Sequence, residues 1–124
     1  MTGERDPHGR DPHAPGAKLD AGKNRIGLVI NGFPRALLAV GQVATHGAAK
    51  YTAHGWRDVP NGVERYTDAM LRHQLAEAMG EQFDRDSTLL HAAHAAWNAL
   101  ARLELLLVQQ QWTRTYPNTE GPKS

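Results

Sequence analysis

Cysteine is absent from the sequence, so no disulfide and no thiolate metal site can form, and any metal must be held by oxygen or imidazole. Long hydrophobic runs are missing too. No stretch has transmembrane length and no signal-peptide core stands at the N-terminus, which leads us to expect a soluble cytoplasmic protein with no membrane partner. An excess of charge of one sign is also lacking: the formal net charge is +1 and the cations are scattered. A duplex-binding protein would concentrate them in a basic footprint, so a nucleic-acid polymer is not an expected partner.

What the sequence does contain is one dense stretch, Gly80 to Asn98, that mixes carboxylates, imidazoles and small apolar residues. Glu81, Asp84 and Asp86 precede a helical pattern whose first turns carry His91, His94 and Asn98. At about 100° per residue those last three share an arc of roughly 60° on one helix face. Leu89, Leu90, Ala92, Ala93, Ala95, Ala96, Trp97, Leu100, Leu103, Leu106 and Leu107 occupy its other positions, so the remaining faces should pack against protein.

Taken in order, residues 1–17 repeat Asp-Pro-His, are rich in Pro and Gly, lack a hydrophobic period and read as a disordered tail. Lys18, Asp20, Lys23 and Arg25 then surround Gly22; they fit either an anionic ligand or an exposed charged loop. Ile26 to Gly32 is a short apolar run read as an extended packing segment. Pro34 can open a first helix at about 33–46, ending at His46-Gly47. Lys50, Tyr51, His54, Trp56 and Arg57 follow, combining cations with aromatic faces that suit either base stacking or packing on the core. Asn61 can cap a second helix, about 62–80, on which Val63, Tyr66, Met70, His73, Glu77 and Glu81 form one stripe. Asp68 and Arg72 are four apart, the spacing of a surface ion pair. Asp86 or Ser87 can cap a third helix, about 87–110, and residues 111–124 read as a flexible polar tail.

The fold class this implies is all-α, a small bundle of about three main helices with an irregular lead-in, forming one domain over about 18–110. Only about six residues separate the second helix from the third, so the two should be antiparallel with their polar ends facing. The third helix is apolar around most of its circumference, and a homodimer or homotetramer is expected to cover it.

Glu81-x-x-Asp84 opposite His91-x-x-His94 has the spacing of a divalent-cation site, and it is equally the spacing of a hydrogen-bonded interhelical network. Carboxylates suit Mg²⁺ or Mn²⁺, whereas imidazoles also admit Fe²⁺, Ni²⁺ or Zn²⁺.

Several ordered motifs extend this reading: K-L-D-A-G-K-x-R, G-A-x-K-Y…G-W, E-R-Y-T-D-A-x-L-R-H, G-E-x-x-D and H-A-A-H-A-A-W-N-A-L. Together, over about residues 17–108, they resemble a mostly phage-borne family of dATP/dGTP diphosphohydrolase-like domains, similar in turn to the MazG-like all-α nucleoside triphosphate pyrophosphatases. In MazG-like enzymes E-x-x-E and E-x-x-D hold Mg²⁺ against the triphosphate. Glu81-x-x-Asp84 matches one such motif, and His91-x-x-His94 with Asn98 stands where the other would be. The resemblance implies hydrolysis of a purine (deoxy)nucleoside triphosphate to the monophosphate and pyrophosphate. The residues expected to serve it are Glu81, Asp84, His91 and His94 for metal, and Glu77 or Asp86 for the attacking water. Lys18, Asp20, Lys23, Arg25, Lys50, Tyr51, Trp56, Arg72, His73 and Asn98 would bind substrate. The competing expectation is a non-catalytic nucleotide-binding or oligomeric interaction module in which the polar stripe is structural.

Overall fold

A computed structural model describes residues 4–111 of the chain, and the expected C-terminal tail from 112 onward lies outside the described residues. The described part divides into two compact units, residues 4–33 and 34–111.

In the first unit the buried Asp6 carboxylate gathers the chain by accepting from the backbone N–H of His8 at 2.8 Å and of Lys18 at 3.3 Å. Gly22 sits at φ 80°, a left-handed turn that a side chain would strain. The apolar run after it forms a helix, α1 (Gly27–Gly32), where the sequence suggested an extended segment. A run this short lacks the length that separates strand from helix, and the i→i−4 bond from Ile30 N–H to the Ile26 carbonyl decides it locally. Pro34 bars Phe33 from helical geometry (φ −130°, ψ 46°), which ends α1.

The second unit is built from α2 (Pro34–Lys50), α3 (Gly62–Ala78) and α4 (His91–Leu106), followed by a π-helical turn at Leu107–Gln111. No strand occurs among the described residues, so the fold is all-α. Proline opens α2, as its fixed φ favours. The helix runs through Gly47 to Lys50 instead of stopping at 46, because Gly47 stays helical and its carbonyl accepts from Tyr51 N–H at 2.9 Å. Asn61 precedes α3 in the left-handed region without a side-chain cap, and a one-turn 3-10 helix, Gly55–Asp58, leads into it.

α4 begins at His91 and not at 87, and its cap position is Leu90. The cause is a tight loop: Asp84 N–H bonds the Leu89 carbonyl, His91 N–H bonds the Gln82 carbonyl, Phe83 and Leu90 form an isolated bridge, and Thr88 takes φ 62°. Those backbone bonds use the residues that would otherwise have formed the first helical turn.

Most of the packing is α3 against α4, with α2 laid on α4. Val43, Ala93, Ala95, Ala101 and Leu105 form the buried apolar centre. Small residues let the helices approach: a Cβ on Gly62 would stand 2.7 Å from Leu105 Cδ1, which places the start of α3 on the end of α4 and makes the pair antiparallel. Next to this contact Trp56, Tyr66 and Trp97 meet edge to face, with ring centroids 5.7–6.2 Å apart, and the Tyr66 hydroxyl donates to the Trp56 carbonyl at 2.7 Å.

Candidate functional site

The antiparallel pairing brings His73 from α3 against His91 and His94 from α4, and the loop between the helices folds Glu81, Asp84 and Ser87 over them. His91 is buried and its Nε2 donates to Glu81 Oε1 at 2.9 Å, since a carboxylate can only accept. That fixes the tautomer of neutral His91 and leaves Nδ1 as a lone pair. Facing it at 2.8 Å is Nδ1 of His73. The His73 ring also stacks on His94, with centroids 4.5 Å apart and planes 9° from parallel.

Asp84 organises the other side. Its Oδ2 accepts from the Ser87 backbone N–H at 2.8 Å and from the Ser87 hydroxyl at 2.9 Å. With its proton committed there, Ser87 Oγ accepts from His94 Nε2 at 2.6 Å and from Leu89 N–H at 3.2 Å. His94 Nε2 is also 3.8 Å from Asp84 Oδ2. Asn98, buried one turn further along α4, donates from Nδ2 to the His94 carbonyl at 2.8 Å.

The electrostatics favour the neutral form of His73 and His94 and the charged form of Glu81 and Asp84. Burial holds His73 and His94 below the ordinary imidazole value; for His73 the neighbouring imidazole of His94 adds to this, and for His94 the Asp84 carboxylate opposes it. Glu81 is held below its ordinary value by the hydrogen bond from His91. Burial pushes Asp84 upward, but the two hydrogen bonds from Ser87 and the nearby imidazoles outweigh it and leave the carboxyl below the usual range.

One donor atom each from His73, Asp84 and His91 lie within 4.8 Å of one another, a geometry able to hold a cation. The facing Nδ1 atoms of His73 and His91, 2.8 Å apart, are the two imidazole donors that would turn to such a cation. The chemistry of this donor set, two imidazoles and a carboxylate, suits a divalent metal, and were one bound, Glu81 would be the carboxylate that orients the His91 imidazole.

The other residues singled out from sequence divide sharply. Asp86 is tied to Lys50 Nζ at 2.9 Å and lies 3.8 Å from His46 Nε2; Lys50 holds the Asp86 carboxyl below its ordinary value, and Asp86 raises Lys50. Glu77, one turn beyond His73 on α3, is exposed and has no side-chain partner among the described residues. Arg72 is exposed on the same helix. Tyr51 is exposed under the Lys50 ammonium, 5.4 Å from its ring centre. Trp56 is packed in the aromatic cluster, and Arg57 lies over its ring. Lys18, Asp20, Lys23 and Arg25 belong to the first unit, where Lys23 Nζ lies 3.7 Å from Glu4. The sequence marks Ser87 and His46 only as helix ends; the Asp84-x-x-Ser87 spacing, that of a side chain bonding a backbone N–H three residues on, is the signal it offers for Ser87.

Residues 13–115 match the family described as dATP/dGTP diphosphohydrolase, N-terminal. A protein of Salmonella phage PMBT28 called dATP/dGTP diphosphohydrolase is 36% identical over 81 residues, which is 65% of this chain and 26% of the relative. The match thus spans about a quarter of that relative's length. No solved structure matches. With most of its length matched from end to end of the helical unit, the chain belongs to the dATP/dGTP diphosphohydrolase N-terminal family.

Proposed function

We propose that this protein hydrolyses a purine deoxynucleoside triphosphate to the monophosphate and pyrophosphate, with a divalent metal held by His73, Asp84 and His91. The observation that carries this is the convergence of those three donors on one point; Glu77, exposed one helical turn on from His73, has no side-chain partner among the described residues. A bound cation would neutralise triphosphate oxygens and polarise the scissile anhydride. Two imidazoles in the set favour Mn²⁺ or a later transition metal over Mg²⁺.

The protein's own groups do the rest by position and charge. Glu81 fixes the His91 tautomer, and Asp84 with Ser87 fixes that of His94, so the site is ordered before substrate arrives. Asp86 is engaged by Lys50, which leaves Glu77 as the carboxylate able to take a proton from water. The water oxygen bonds to the α-phosphorus, the bridging bond to the β-phosphate breaks, pyrophosphate leaves and the proton passes to Glu77. Lys50 and Arg72 supply cations to the phosphates. Trp56, packed edge to face on Tyr66 and Trp97, is assigned to the core and not to base stacking in this reading.

A second copy of the chain covers exposed Leu71 and Leu75 on α3 and Met79 at its C-terminal cap, giving a homodimer or homotetramer in the host cytoplasm. Incubation with each dNTP and Mn²⁺, Mg²⁺ or Co²⁺, with products separated by ion exchange, should give monophosphate plus pyrophosphate. Orthophosphate alone, or no turnover with any metal, overturns the reading. A structural network is the second reading, because no buried side-chain nitrogen or oxygen among the described residues lacks a partner. It predicts that wild-type stability is indifferent to divalent metal.

A further inference from the structure

An open cleft of about 620 Å³ lies between α2 and the loop that precedes α4. Its volume falls within the range of small-molecule sites, roughly 300–1,000 Å³. Leu38 from α2 and Leu89 from the loop supply apolar surface, and Gln42, His46 and Ser87 supply polar groups. Ser87 joins this cleft to the ligand cluster, since the same hydroxyl bonds Asp84 and His94. On the other side His46 leads to Asp86 and, through it, to Lys50. The cleft therefore opens between the candidate metal ligands and a cation.

Gly41 lines the cleft in the middle of α2, where glycine costs about 1 kcal/mol of helix stability relative to alanine. No turn or close contact demands it: its φ is not positive, and a Cβ there would meet nothing within 4 Å. The missing side chain leaves open space on the cleft face. Gln42 beside it is exposed, and its amide makes no side-chain hydrogen bond among the described residues. A flat ring with hydrogen-bonding edges matches apolar walls and one free amide, because an amide can donate and accept in the same plane.

We propose that this cleft is the nucleobase subsite: it takes the purine ring of the nucleotide between Leu38 and Leu89, with Gln42 bonding the base edge and Gly41 providing the room. The assignment rests on the nucleotide chemistry proposed above and names where specificity for the base is set. It differs from the stacking role the sequence suggested for Trp56.

The test uses dAMP and dGMP, which carry the base without the scissile bond, in titration calorimetry with the full chain. Gly41→Leu fills the cleft while raising helix propensity, so its melting temperature should equal or exceed that of wild type while affinity falls at least tenfold. Should Gly41→Leu melt lower, Gln42→Ala, an exposed change, replaces it and should weaken purine monophosphates about tenfold, the loss of roughly one hydrogen-bond pair, and weaken dCMP and dTMP less. Unchanged affinity in both variants, or no monophosphate binding by the wild type at millimolar concentration, overturns the subsite. Failure of the hydrolytic reading looks different: the monophosphates bind and Gly41→Leu abolishes it, yet no dNTP yields pyrophosphate.

Discussion

His73 and His91 point their Nδ1 atoms at each other across 2.8 Å, from different helices, while the far nitrogen of His91 is held by Glu81. With the lone pair of His91 fixed on that side, the pair can share a proton on His73 or bind one cation together. The two states give different responses to substitution.

If a cation binds there, Glu81→Gln should weaken it about 10–100-fold, the usual effect of losing a carboxylate behind a metal-binding imidazole. His91→Ala and His73→Ala, which remove donors, should weaken it further. Mn²⁺ titrations by calorimetry on the three variants measure the order directly, and equal affinity for Glu81→Gln and His91→Ala would contradict it.

The aromatic cluster makes a separate prediction. Trp97→Ala should cost about 3 kcal/mol and Tyr66→Phe about 1 kcal/mol, the latter by leaving the Trp56 carbonyl without its donor. Urea unfolding followed by circular dichroism gives both values. A Trp56→Ala variant that keeps its stability but loses nucleotide affinity would return Trp56 to a stacking role.

How much of this could be read in the sequence depends on the range of the interaction. The all-α class and α2, α3 and α4 were visible because apolar residues such as Ala36, Val40 and Val43 recur at helical spacing. Glu81, Asp84 and His91 were visible because they are close in sequence to a helix start. Helix ends were not: Gly47 does not cap α2, and the loop bonds of Gln82 and Asp84 delay α4 to His91. By sequence alone His73 fits a substrate-binding role, since only packing of α3 on α4 puts its Nδ1 2.8 Å from that of His91, eighteen residues away. Trp56 could stack or pack by sequence alone, and its edge-to-face packing against Tyr66 and Trp97 is a tertiary outcome.

Acid should unfold the metal-free protein in two stages. His73 and His94 have folded pKa values below the unfolded value near 6.5, so the unfolded chain binds more protons as pH drops through that region. Their contribution is complete above about pH 6.5 and declines below it. Glu81, Asp84 and Asp86 are also lowered, so their contribution is present above about pH 4 and is lost as pH falls through their folded values. Thermal melts between pH 8 and pH 3 should show a first decline beginning near 6.5 and a second near 4. His94→Gln should reduce the first, and change the second only by the part that the His94 imidazole contributes at Asp84.

The surface of α3 yields the last prediction. Leu71, Leu75 and Met79 are 51%, 60% and 77% exposed and spaced by four, so they form one apolar stripe along the helix. Leu100 and Leu103 on α4 are about half exposed as well. Apolar side chains repeated along a helix away from its own core are expected where a second copy docks, since water contact costs about 25 cal/mol for each Å² left uncovered. Light scattering after gel filtration should give at least twice the chain mass at micromolar concentration. Leu75→Glu should halve it without unfolding the protein, because Leu75 is exposed within the chain. Leu103→Glu provides the comparison on α4: if it halves the mass and Leu75→Glu does not, the docking face is α4. A wild-type monomer would rule out both faces.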